Sequence, residues 1–295
     1  MKVLTNNEWD PLKSVVVGSS VYANRPEGCH FEETGPYKNH ICAQAAMDLE
    51  RFANVLKHEG VKVHRPKDYD FVMGGGMYNY CPRDRLLIVG DTVFDCHMQY
   101  PCRDIEAKFL SVATDNARRV VKVPRSEYIM FDAANVLRLN DTLLYLISPS
   151  ATPEGAHWLA EQLPNHTVET TETYGGIHID STFIPVREGL VVVNKDRVSE
   201  DRLPRVFKDW EILWLGKEHL KPKHRVPGTP KPFASNYIQF NFLMINPELA
   251  VIDDCPALKE ALLTKGVYSY TIPFTHSTTL GGGHHCCSLD LHRRH

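Results

Sequence analysis

The residues best suited to covalent chemistry lie near the carboxyl end, in Leu280-Gly281-Gly282-Gly283-His284-His285-Cys286-Cys287-Ser288-Leu289-Asp290. Three glycines permit backbone angles closed to other residues and let a ligand approach the chain closely. A cysteine directly after them, here Cys286, could sit at the rim or centre of a site. Two other readings of the segment stay open on spacing alone. It could be a loop carrying buried, inert thiols. It could also supply metal ligands, although His284, His285, Cys286 and Cys287 cannot converge unaided on one tetrahedral ion, because neighbours on a strand face opposite ways. The same alternation sends Cys286 and Cys287 to opposite faces, admits only one of them to a given site, and turns His285 away from Cys286 as its base.

Three further segments carry groups for acid–base work. In Gly175-Gly176-Ile177-His178-Ile179-Asp180-Ser181-Thr182-Phe183, a strand would put His178 and Asp180 on one face. An imidazole beside a carboxylate suits proton transfer next to a bound cation. Phe131-Asp132-Ala133-Ala134-Asn135 and Cys81-Pro82-Arg83-Asp84-Arg85 each place a carboxylate close to an apolar run. Taken singly, each is equally a surface strand or a solvated turn with local ion pairs.

The elements that must position these groups repeat along the chain. A mixed strand, a tight polar turn and a near-continuous apolar strand occur as Tyr78–Arg83 with Leu86–Val89, Ala134–Leu139 with Leu143–Ile147, Ile177–Val186 with Leu190–Val193, and Tyr237–Ile245 with Leu249–Asp253. A fifth copy is split, with Cys286–Leu291 pairing Ser14–Val17 from the opposite end of the chain. Polar residues on the first-strand side fall at 84, 132, 178, 235 and 286, a period of roughly 50 residues that points to radial repetition. Helices fit between the pairs. Ile41–His58 has Ala45, Leu49, Phe52, Ala53 and Leu56 on one face and Gly60 beyond its end. Asp104–Ala113, Pro153–Gln162 and Pro256–Thr264 are the others, the last opening on a proline at its first position. The pattern is α/β, a five-bladed propeller of ββαβ-type modules in a single domain over residues 1–295.

Composition bounds the partners. The 295 residues carry a net charge of −3 with 43% hydrophobic residues, enough for a sizeable core and without the basic excess of a nucleic-acid or anionic-membrane binder. No apolar run approaches the roughly 20 residues that span a bilayer, and the first residues have neither a signal-peptide nor a transit-peptide pattern. A cytoplasmic protein is expected, with its eight cysteines present as reduced thiols, mostly buried. Homo-oligomerisation is left open.

Together, Pro82-Arg83-Asp84, Phe131-Asp132-Ala133-Ala134, His178-Ile179-Asp180-Ser181-Thr182-Phe183 and Gly281-Gly282-Gly283-His284-His285-Cys286, with Trp9-Asp10-Pro11-Leu12 near the start, resemble the amidinotransferase family of the pentein superfamily. The resemblance covers almost the whole chain and implies a five-bladed, pseudo-fivefold α/β propeller. It also implies roles. Cys286 is the nucleophile, His178 the general acid and base, and Asp132 its orienting partner. Asp84 and Asp180 grip the guanidinium, Arg197 binds the donor's α-carboxylate, and Ser235 lies near the donor. No cofactor and no metal are implied. The chain departs from the family pattern where Ala234-Ser235 stands for a serine pair, where Asn135 stands for a second Asp of some members, and where His284 replaces an aromatic.

The implied activity moves the amidino group of L-arginine to a second amine through an amidino-cysteine, with ornithine released first. Two rivals follow from the same residues: a guanidino-group hydrolase of the same superfamily, and a non-enzymatic metal-binding or sensor protein using the His/Cys cluster. Pro222–Pro232 is a candidate lid.

Overall fold

The computed structural model describes residues 2–29, 31–172, 176–221 and 232–294. Among these are five three-stranded mixed sheets of one topology. In each, a first strand pairs antiparallel with a middle strand, which pairs parallel with a third. Four sheets run in chain order: Leu86–Val89, Thr92–Asp95 and Arg119–Lys122; Val136–Leu139, Thr142–Leu146 and Thr167–Thr171; Phe183–Arg187, Leu190–Asn194 and Glu211–Leu215; and Leu243–Asn246, Leu249–Ile252 and Tyr268–Thr271. The fifth joins the two ends of the chain. Ser288–Arg293 pairs antiparallel with Leu12–Val17, Val17 opposite Ser288, and Lys62–His64 completes it. Parallel pairing within a sheet requires a crossover, and the crossovers carry the helices Asn39–His58, Pro153–Gln162 and Pro256–Thr264. The middle strands Leu190–Asn194 and Leu249–Ile252 are almost entirely buried, as expected where both faces of a strand are covered.

Helix Asn39–His58 buries Ile41, Ala45, Leu49, Phe52, Ala53 and Leu56 on the expected face. Each large apolar side chain there contributes about 2–3 kcal/mol by leaving water. Asp48, also buried, accepts from the backbone N–H of Thr275 at 2.8 Å, which ties the helix to the segment preceding Gly281–Cys286. No described helix is long and apolar enough to cross a membrane.

Several expected boundaries move. The first strands start after the chemistry-bearing residues rather than containing them. Pro82–Asp84, Ala133–Asn135 and Asn236–Phe240 are 3₁₀ turns, residues 177–182 are turn and bend, and Cys286 and Cys287 lie in a turn before Ser288. Leu86–Val89 is the first strand of its sheet, not the second; its four buried apolar residues imitate a middle strand. The helix read at Asp104–Ala113 is a 3₁₀ segment, Pro101–Phe109, followed by a short α-turn, Ser111–Thr114. Three residues per turn eclipse positions i and i+3, which stacks Glu106 against Arg103. The reading of eight reduced thiols fails for one pair: Cys29 and Cys102, 73 positions apart, are joined as a disulfide. The candidate lid, apart from Pro232, lies outside the described residues.

Candidate active site

The five turns that precede the first strands converge on one cavity of about 200 Å³, lined by Asp84, Asp132, His178, Asp180, Arg197, Ser235 and Cys286 among others. Each sheet therefore contributes one polar turn, and every site residue expected from the sequence reaches the cavity. The strand alternation used to separate Cys286 from Cys287 does not apply, because both lie in a turn whose N–H groups bond back to Gly283 and His285. The separation stands for another reason: Cys286 faces the cavity, while Cys287 points at Tyr80 and Cys81 behind it. His178 and Asp180 likewise share the cavity without sharing a strand.

The glycines make this turn possible. Gly281 has φ +83°, and a side chain on Gly282 would collide with Cys81 Sγ. One on Gly283 would come 2.7 Å from the Asn241 carbonyl oxygen. Asn241 in turn fixes Cys286. Its Oδ1 accepts from the Cys286 N–H at 3.0 Å, and its Nδ2 donates to the Asp180 carbonyl at 3.0 Å.

Polar contacts divide the groups by role. His178 Nε2 lies 3.0 Å from Asp132 Oδ2 while Asp132 Oδ1 accepts from the Gln99 N–H at 3.0 Å; the ring's Nδ1 lies 3.8 Å from Asp84 Oδ1. Asp84 Oδ2 is bound by Arg103 at 2.9 Å, and Arg103 is held from behind by Glu106 at 2.9 Å. Asp84 Oδ1, buried, accepts no hydrogen bond. The Cys286 thiol donates to Asp180 Oδ2 at 3.3 Å. Arg197 is held by Ser181 Oγ at 2.9 Å, Thr182 Oγ1 at 2.8 Å and Ser235 Oγ at 3.4 Å, over the Tyr237 ring.

The electrostatics follow from these contacts. The Cys81 thiol, burial and the Asp180 charge push the Cys286 thiol well above the ordinary range, against the pull of His178. Burial disfavours the His178 cation, yet Asp84, Asp132 and Cys286 together raise it well above the usual imidazole range. Asp180 falls to about 2 despite burial, through the hydrogen bond and charge of His285, then His178 and Asn241. Asp84 moves the other way: burial lifts it against His178 and Arg103. Two carboxylates on one cavity thus differ in basicity, a pattern typical of sites that do acid–base work.

A search of protein-family models matched none. Whole-protein comparisons are decisive. The chain is 32% identical over 343 aligned positions to inosamine-phosphate amidinotransferase 1 of Streptomyces griseus, covering 99% of this chain and 97% of the relative. The chain belongs to the amidinotransferase family. The solved structure of the Streptomyces griseus inosamine-phosphate amidinotransferase superposes with a TM-score of 0.92 at 31% identity, over 99% of this chain and 97% of that one. L-arginine:L-lysine amidinotransferase of Pseudomonas savastanoi pv. phaseolicola is 26% identical, over 99% of this chain and 94% of the relative. Dimethylarginine dimethylaminohydrolase from Pseudomonas aeruginosa shares the pentein fold at a TM-score of 0.71 and 13% identity, over 95% of this chain and 99% of that one. The chain is thus an amidinotransferase enzyme of α/β pentein architecture.

The departures from the family pattern resolve structurally. His284 serves as an aromatic, its ring 4.1 Å from that of Phe274 and 5.1 Å from that of Phe52. Asn135 is a strut, donating to the carbonyls of Leu146 and Ile177. Ala234 lines the cavity beside Ser235. Sequence reasoning missed Arg103, Glu106, Asn241 and the contacts of His285. The Arg103/Glu106 spacing of three was visible but belongs equally to a surface helix, and nothing near Asn241 distinguishes it.

Proposed function

We propose that this amidinotransferase takes the amidino group from L-arginine, releases ornithine, and passes the group to an amine acceptor through a covalent amidino-Cys286 intermediate. The observation that carries the reading is the bare, buried Asp84 Oδ1 facing a cavity that also holds the Asp180–Cys286 pair. A buried carboxylate oxygen without a donor is costly, and a guanidinium supplies planar N–H donors in a fixed fork. Held between Asp84 and Asp180, its central carbon is presented to Cys286.

The chemistry balances without a cofactor. The resting thiol is kept protonated by the acids around it, and the arriving cation cancels their charge and favours the thiolate. Sγ attacks the guanidinium carbon and gives a tetrahedral adduct. The C–N bond to the departing amine breaks, and the thiol's proton, relayed through His178, leaves on that amine. The amidino group stays on sulfur as a cation between Asp84 and Asp180. The acceptor amine then attacks the same carbon and gives its proton to His178. The C–S bond breaks and the thiol is restored. Asp132 orients His178 throughout, and Arg197 with Ser235 receives the donor's α-carboxylate. We read the five sheets as the blades of a propeller, which accounts for five turns meeting at one cavity.

The test is arginine with a panel of primary amines, including glycine, lysine and aminocyclitol phosphates, scored by ornithine release and by mass spectrometry of acid-quenched protein. Acceptor-dependent ornithine and one amidino group on the Cys286 peptide are expected. Citrulline and ammonia formed from arginine alone would replace transfer by hydrolysis.

A further inference from the structure

The cavity's chemistry uses one face of Asp180; the other face meets a group that the mechanism above leaves unused. His285 is 7% exposed and lies between two acids: Nδ1 is 2.7 Å from Asp180 Oδ2 and Nε2 is 3.2 Å from Glu8 Oε2. Glu8 comes from the opposite end of the chain and is itself ionised, since Arg138 grips both of its oxygens, at 2.8 and 2.6 Å, and Arg83 reaches Oε2 at 3.3 Å. An ionised carboxylate only accepts hydrogen bonds, so both ring nitrogens facing one must carry protons. Beyond Glu8, Asp290 neutralises Arg83 and Arg138 at 2.6 and 2.9 Å, and the His285 carbonyl accepts from Arg83 Nε at 2.8 Å, which fixes the backbone below the ring. On the cavity side the same Asp180 oxygen receives the Cys286 thiol. The charged and titratable groups around the ring and its partner carboxylate are therefore Glu8, Asp180, Arg83, Arg138 and Asp290, with Cys286 and His178 beyond Asp180.

We propose that His285 is a positioning residue for amidino transfer: as an imidazolium clamped between Glu8 and Asp180, it keeps the Asp180 carboxylate ionised and aimed at the point where the guanidinium and the Cys286 sulfur meet. This rests on the function proposed above and adds to it a cation built into the protein. Asp84 has Arg103 as its permanent countercharge; His285 is the matching countercharge of Asp180. The two differ in what they leave over. Arg103 takes one oxygen of Asp84 and leaves the other bare, whereas His285 shares its oxygen with the nucleophile and thereby sets the distance between acid and thiol.

The experiment compares wild type with His285→Gln in the full-length protein. Gln can keep one hydrogen bond but not the charge, and Glu8 retains both arginines, so the substitution leaves no orphaned acid. The probe is 2-chloroacetamidine, a small amidinium electrophile that loses chloride to a thiolate, offers planar N–H donors to the carboxylates as a guanidinium does, and needs no acceptor amine. Its rate of attachment to Cys286 is read by mass spectrometry across pH, beside the KM for arginine. At neutral pH a loss of about 10- to 100-fold is expected, the scale of one hydrogen bond to a charged group. Without its cationic neighbour Asp180 holds its proton to higher pH, so the acidic limb shifts upward by about one to two units; the gap to wild type is widest on that acidic limb and levels off at the neutral-pH loss, which reflects the lost aim of the carboxylate. A merely structural role lowers the rate equally at every pH. Wild-type alkylation of Cys286 with an unshifted His285→Gln profile would overturn the role of His285 alone; absence of alkylation in wild type would overturn the amidinium–thiol reading itself.

Discussion

Asp132→Asn isolates the proton-handling pair with almost no change of shape. Asp132 uses its two oxygens differently: Oδ1 accepts from the Gln99 N–H at 3.0 Å, and Oδ2 faces His178 Nε2 at 3.0 Å. In the amide, the fixed Gln99 donor selects the carbonyl oxygen, so the NH₂ group must turn on the ring. His178 Nε2 then has to accept instead of donate, its proton is displaced to the nitrogen facing Asp84, and the neutral ring can no longer take one there. Loss of a hydrogen bond between charged groups costs about 1.5–3 kcal/mol, or about 10- to 150-fold in rate at about 1.4 kcal/mol per decade. Reversal of the tautomer takes comparable sites to about 10⁴-fold. We expect kcat to fall about 10²- to 10⁴-fold in both half-reactions. The KM for arginine should stay within about threefold, because Asp132 does not touch the guanidinium in the arrangement proposed. The anion that helps to lift His178 is also lost, so the remaining activity should titrate at lower pH than in wild type. Rapid-quench single turnovers, one from arginine to ornithine and one from preformed amidino-enzyme to product, measure each half separately. A kcat within about fivefold of wild type, with an unchanged pH profile, would refute the assignment of the His178–Asp132 pair.

Cys286→Ala should abolish turnover, while Cys287→Ala, outside the cavity, should keep most activity at a stability cost of about 1 kcal/mol; equal losses in the ornithine assay would contradict the placement of the two sulfurs. Arg103→Met strands two buried acids, Asp84 and Glu106. Breaking such a pair costs about 3–5 kcal/mol and should lower Tm by about 6–15 °C, with a raised KM for arginine, so an unchanged melting curve would count against Arg103 as the support of Asp84. Arg197→Ala should raise the KM for arginine about 10- to 100-fold and leave agmatine, which lacks the carboxylate, nearly unaffected. If both substrates weaken alike in steady-state assays, Arg197 does not read the α-carboxylate.

What could be read in the sequence, and what could not, divides along the range of the forces involved. Four of the five middle strands and the three long helices were legible because burial imposes a local period, whereas the middle strand Thr92–Asp95 and the 3₁₀ segment Pro101–Phe109 were not. Pro153–Gln162 and Pro256–Thr264 are found at the expected bounds, opened by a proline where the first N–H needs no partner. The pairing of the chain ends was legible from the fifth repeat being split. The turns were misread as strands because Ile177–Phe183 and Cys286–Leu291 contain β-favouring residues, whereas their backbone is set by long-range contacts: the Ile179 N–H bonds to the Ala134 carbonyl, and the Cys286 N–H to Asn241. Supporting residues were illegible for the same reason. Arg83 and Arg85 read as a solvated turn, yet both are buried, and Arg83 meets Glu8 and Asp290 from the two ends of the chain.

That buried charge also explains how Cys286, six residues after the helical turn Ser277–Leu280, can be held in place. Here the final strand carries Asp290, which bonds Arg83, Arg138 and Arg293, while Arg293 donates onward to the carbonyls of Asp10 and Met244 at 2.7 and 2.8 Å. Such a network adds little net stability, since desolvation offsets most of its attraction, but it tolerates almost no displacement: any shift of the strand leaves a charge unpaired at a cost of several kcal/mol. Apolar packing in the same place would permit small slides of the strand, and Cys286 lies only two residues before it. A hub of alternating charges therefore gives the strand a fixed register and the thiol a fixed mount.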